Sequence, residues 1–193
     1  MYRKLGLYSF LMMFLIGCNS QKTTPINISE LTITQIHDAF KNGNYTSEVL
    51  VKEYIKRIKE YDSEINSISI INPNAITIAK KLDEEFLKTD KLRPLHGIPI
   101  IIKDNINTKN LPTTGGALAL KDFIPEENAF VIDKLVDAGA IIIAKSNMAE
   151  WAFSAMHTES STKGTTRNPY NLDYVPAGSS GGTGAAVASN FGT

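Results

Sequence analysis

Two side-chain types in this sequence are placed where they could carry out proton transfer or nucleophilic attack. Ser179 and Ser180 sit among glycines in Pro176-Ala177-Gly178-Ser179-Ser180-Gly181-Gly182-Thr183-Gly184, and Ala185-Ala186-Val187-Ala188 follows. Glycine admits backbone angles closed to other residues and lets a ligand approach bare amides. The alanine-rich run can carry the chain into a helix, whose first N–H groups can hold an anion or a developing oxyanion. A Ser/Gly-rich linker has the same composition, so both readings stay open on this segment alone. Lys103 ends the apolar run Ile98-Pro99-Ile100-Ile101-Ile102. A strand-end lysine is ordinarily solvated or paired, and Asp104 offers a charge neighbour. Desolvated, the same amine binds its proton less tightly and becomes a general base near neutral pH.

Other chemistries find little support. His37, His96 and His157 are far apart, none belongs to an H-E-x-x-H pattern, and Cys18 is the only cysteine, so neither a metal site nor a cofactor is expected. Lys plus Arg and Asp plus Glu both number 20, which leaves no bulk field to attract nucleic acid. Gly178-x-Ser180-x-Gly182 has the form of a hydrolase nucleophile elbow, but the residues before it are turn-like rather than a strand, and no histidine follows His157. Ser160-x-x-Lys163 matches an S-x-x-K pair in a loop without helical periodicity. The glycine segment also lacks the Lys-Ser/Thr ending of a phosphate loop.

The elements that must position Lys103 and the serines are readable from periodicity. The 193 residues, 42% of them hydrophobic, supply one ordinary core. A helix is expected over residues 32–42, with Ile33, Ile36 and Phe40 on one face and Gly43 as its stop. A second starts from Thr46 and buries Val51, Tyr54, Ile55 and Ile58. A short strand over residues 68–71 precedes Asn72-Pro73, read as the cap and first position of a third helix with Ala75, Ile78, Ala79, Leu82 and Phe86 inward. Asp83, Glu84 and Glu85 on that helix read as a solvent face. The apolar run ending at Lys103, a helix over residues 129–138 with Val131, Ile132, Leu135 and Val136, and a strand over residues 140–144 form a βαβ unit. The fold class is α/β, and functional loops in such sheets gather at the carboxyl ends of strands, where Lys103 and Lys145-Ser146-Asn147 lie. Alternation puts Lys103 on the side of Ile101.

Residues 1–17 combine Arg3 and Lys4 with a short apolar run, the pattern of an export signal. Leu15-Ile16-Gly17-Cys18 is similar to the lipobox of bacterial lipoproteins, in which the chain is cut before a cysteine that becomes lipidated. The expected organisation is therefore a signal peptide over 1–17, a polar tether over 18–30 and a folded domain over 31–193. The expected location is the cell envelope, with lipidated Cys18 in the outer membrane facing the periplasm, since Asn19 stands where inner-membrane retention would place Asp.

From about Thr46 to its end the chain resembles the amidase signature family of serine hydrolases. The resemblance rests on His96-Gly97-Ile98-Pro99, Lys103-Asp104-Asn105, Thr113-Thr114-Gly115, Ala138-Gly139-Ala140, Lys145-Ser146-Asn147-Met148-Ala149-Glu150, Arg167-Asn168-Pro169-Tyr170 and Ala177-Gly178-Ser179-Ser180-Gly181-Gly182, in the family's order. It implies a mixed, largely parallel sheet flanked by helices and amide hydrolysis by a Ser-Ser-Lys triad without cofactor. Lys103 is then the triad lysine and Ser179 the bridging serine, preceded by a cis peptide bond. Gly178, Ser180, Gly181, Gly182 and Met148 become substrate-binding positions. Ala177 stands where many members have glycine, a difference expected to be silent. The acylated serine of the family falls beyond Thr193, so the chain is expected to be the N-terminal part of an amidase domain, cut before its nucleophile and inactive alone. The expected partner is a small amide, aryl amide or peptide amide; the alternative is a lipid-anchored binding protein that keeps the fold without turnover.

Overall fold

A computed structural model describes residues 26–193. The expected signal peptide, Cys18 and the first part of the expected tether lie outside the described residues. In the described part of that tether Ile28 is buried in the main core, and the Glu30 N–H donates to Asn190 Oδ1 at 2.7 Å.

The front helices form where their caps allow. Helix α1 (Ile33–Lys41) opens with a reciprocal capping box, Thr32 Oγ1 accepting from Gln35 N and Gln35 Oε1 from Thr32 N. Helix α2 (Ser47–Ile65) starts after Thr46 and buries Leu50, Val51, Tyr54, Ile55 and Ile58. Its first free amides are also satisfied from outside, because Asp83 Oδ1 and Oδ2 accept from Ser47 N at 2.7 Å and Glu48 N at 2.9 Å. Asp83 is thus a cap for a neighbouring helix rather than part of a solvent face. Helix α3 (Ala75–Thr89) begins later than the Asn72-Pro73 signal. Asn72 is held elsewhere: its Nδ2 donates to Ile142 O at 2.7 Å and its Oδ1 accepts from Asn74 N.

Strands β1 (Ile68–Ile71), β2 (Pro99–Lys103) and β3 (Ile141–Ser146) make one sheet in the order β1-β3-β2. β2 runs parallel to the central β3, as the crossover through helix α4 (Phe130–Asp137) requires, and β1 runs antiparallel to it. The fold is α/β with a mixed sheet. β3 is buried along its whole length, which explains its unbroken apolar composition. The larger core lies on the face where α1, α2, α3 and helix α5 (Gly181–Ala188) pack, and includes Ile101, Ile141 and Ile143. A smaller cluster of Ile102, Leu111, Ile132 and Ile142 lies under α4. Only Ile132 of α4 is buried; Val131 and Val136, expected inward, are exposed. A hairpin of β4 (Glu159–Ser160) and β5 (Gly164–Thr165), which sequence periodicity does not signal, stands beside the sheet's carboxyl end.

Candidate active site

Lys103 leaves the last position of β2 on the face of Ile101, where α5 packs, and its Nζ donates to Ser179 Oγ at 2.7 Å. The Gly178–Ser179 peptide is cis, matching the expectation for this serine. Both side chains are half-buried. Burial pushes the Lys103 amine below the usual lysine range.

The serine segment is clamped from three directions. The Ala149 N–H donates to Ser179 O and the Gly178 N–H to Ala155 O, each at 3.0 Å. Thr158, fully buried, donates its hydroxyl to Ala177 O at 2.8 Å and accepts from Gly181 N at 3.1 Å. Such close backbone approach dictates the glycines: a Cβ at Gly178 would overlap His157 O, one at Gly181 the Thr158 hydroxyl, and one at Gly182 Asn147 O. The space that these three glycines leave free is filled by protein, and the Gly181 amide is already used. Ser180 is exposed at the N-cap of α5 without a side-chain capping bond. Met148 is fully buried next to Ala149. Ala177, expected to be silent, has φ +60°, the left-handed region in which glycine is unstrained.

Behind the Lys103 pair lies a polar framework that the sequence alone does not disclose. Asn147 Oδ1 accepts from Ser160 Oγ at 2.7 Å, and its Nδ2 donates to Gly164 O and Thr166 Oγ1 at 3.0 Å, tying the hairpin to β3. Ser146 and Thr183 hydroxyls meet at 2.7 Å, tying β3 to α5. Lys145, paired in register with Ile102, points to the opposite face from Lys103. Its side chain is fully buried; Nζ donates to Ile106 O at 2.8 Å and Thr113 Oγ1 at 2.9 Å and lies 3.8 Å from Asp104 Oδ1. Asp104 is therefore the ion-pair partner of Lys145, not of Lys103. The Thr114 hydroxyl and amide also donate to the Asp104 carboxylate. Burial lowers the Lys145 amine to about 8 against the opposing pull of Asp104, and raises the Asp104 carboxyl against the pull of Thr114 and Lys145. Among the described residues no group of His, Cys, Asp and Glu side chains is arranged to hold a metal ion.

An amine of weakened basicity in contact with a hydroxyl, at the carboxyl end of a parallel strand pair, is an arrangement that could pass a proton between the two groups. Known proteins of similar sequence and structure bear on what it is for. The family model described as Amidase matches residues 49–193. A glutamyl-tRNA(Gln) amidotransferase subunit from Natranaerobius thermophilus is 41% identical over 165 residues, which cover 85% of this chain and 33% of that protein. Its counterpart in Lawsonia intracellularis is 45% identical over 159 residues, 82% of this chain and 32% of that protein. Among solved structures, the native peptide amidase of Stenotrophomonas maltophilia aligns with a TM-score of 0.81 at 35% identity, over 85% of this chain and 35% of that one. The chain spans about a third of the length of the relatives it matches.

Proposed function

The chain belongs to the amidase family, and from that premise we propose that Lys103 and Ser179 form the base and the bridge of a Ser-Ser-Lys relay that hydrolyses a carbon–nitrogen amide bond. The observation that carries this reading is the 2.7 Å hydrogen bond between Lys103 Nζ and Ser179 Oγ. In the reactive form Lys103 is neutral and accepts the Ser179 proton, while Ser179 accepts the proton of a nucleophilic hydroxyl supplied by sequence beyond Thr193. That oxygen attacks the amide carbonyl, and the tetrahedral intermediate collapses as the proton returns through Ser179 to the leaving nitrogen. An acyl-enzyme remains, and water attacks it with the same relay accepting its proton. Desolvation of Lys103 supports this role, because an amine held below its usual range offers a larger neutral fraction near neutrality.

The proposed substrate is a small amide or peptide amide met outside the inner membrane, the protein being held to the cell envelope through lipidated Cys18. In the full-length protein, Lys103→Ala and Ser179→Ala should each reduce amide hydrolysis by roughly 10²–10⁴-fold, the range for loss of general acid–base catalysis. Release of ammonia or amine is the assay, with circular dichroism to establish that each variant is folded. Near wild-type turnover by a folded Lys103→Ala protein would overturn the assignment.

A further inference from the structure

We propose that Trp151 is the specificity-determining residue of this site, walling a cavity that takes the neutral, apolar ring of an aromatic amide. The proposal rests on the amidase reading for its substrate and on the following geometry for its site.

A cavity of about 240 Å³ opens at the carboxyl end of the sheet. Asn105, two residues past Lys103, and Met148, the neighbour of the Ala149 amide that holds Ser179 O, both line it. Its lining thus comes from the chain segments that flank Lys103 and the Ala149 amide, although neither Lys103 nor Ser179 lines it. Its apolar wall is Leu120, Phe123, Met148 and Trp151, and its polar positions are Asn105, Asn107 and Thr113. No charged side chain lines it, so nothing there would pair with an ammonium or carboxylate on a ligand. An apolar cavity of about 150 Å³ accepts benzene, so the volume admits a phenyl group. A second cavity, of about 620 Å³, has Phe153 in its wall but shares that wall with the carboxylates Glu150 and Glu159, which the smaller cavity lacks.

Trp151 is held in place for this task. Its φ of +53° lies in the left-handed region, where a bulky residue persists only if its surroundings enforce it. Here the Trp151 N–H donates to Gly115 O at 2.8 Å, and the six-membered part of the indole lies over Gly115 at van der Waals distance from where a Cβ would stand. Ala152, the next residue, is also left-handed. Among the described residues the indole is 59% exposed, and it lines the cavity. These bonds and contacts fix the place of the ring in the cavity wall.

The full-length protein is titrated calorimetrically with phenylacetamide, acetamide and lysinamide. The expected result is saturable binding of phenylacetamide at a Kd at least tenfold below those of the other two. Equal responses, or none, would overturn the proposal. Calorimetric titration of variants then isolates the indole: Trp151→Ala should weaken phenylacetamide binding at least tenfold, and Trp151→Phe, which keeps a ring and guards against misfolding of the alanine variant, no more than about threefold. Unchanged binding by Trp151→Ala, or equal losses in both variants, would overturn it. Lys103→Ala should leave this binding intact, so failure of the hydrolase reading and failure of the binding site register separately.

Discussion

At the scale of single residues, Lys103 and Lys145 show how burial sorts identical amines. Lys103 is half-buried against one hydroxyl, whereas Lys145 is sealed among two oxygen acceptors and a carboxylate. The folded-state value of Lys145 is about 8 and lies below the ordinary 10.5. The unfolded chain therefore binds more protons between those two values, and stability should rise as pH increases through that window. Urea unfolding across it is expected to show this rise in the wild type and a flatter profile in Lys145→Met. At neutral pH that variant should also lose about 3–5 kcal/mol, because Asp104 stays buried without its cation; adding Asp104→Asn should recover part of the loss. A Lys145→Met protein as stable as the wild type would refute the assignment of the pair. Lys103 and Ser179 are legible in the sequence because short motifs surround them. Asp104 reads there as a neighbour of Lys103, yet adjacency in a strand puts side chains on opposite faces. Thr158 carries no such signal, and the motif around Asn147 does not disclose its bonds, because the partners at Ala177, Gly181 and Thr166 come from loops whose approach leaves no periodic trace.

At the scale of elements, the start of α5 is fixed by what crowds it. Gly182→Ala forces the Asn147 backbone to move and should destabilise by about 1–3 kcal/mol, the usual range for overpacking. Ala177→Gly should act oppositely, since relief of a left-handed alanine exceeds the entropy that glycine loses, for a net gain of about 1 kcal/mol or less. Urea midpoints of the two variants check both signs, and an unstable Ala177→Gly would mean that the φ of this residue is not under strain. The starts of α1 and α2 are readable because Thr32 and Thr46 do the capping themselves. The start of α3 is not, because Asn72 satisfies a β3 carbonyl first. Periodicity overstates the inward face of α4 for a simple reason: only a narrow stripe of it meets the four-residue cluster below.

At the scale of the whole molecule, two cores of unequal size press on one small sheet, and the Lys103–Ser179 pair sits on the side of the larger one. No helix among the described residues is long and apolar enough to cross a membrane; the envelope attachment proposed above is through Cys18. Cys18→Ala should move the protein out of the membrane fraction on cell fractionation; retention there would exclude lipid anchoring at this residue. The alternation of one strand end carries a final consequence. With Lys103 turned toward α5 and Lys145 toward α4, an electrophile arriving at this end of the sheet through the Ser179 side meets a single amine. The second amine, its proton already loosened by burial, is shut behind the β-sheet, out of reach of a group that approaches from that side.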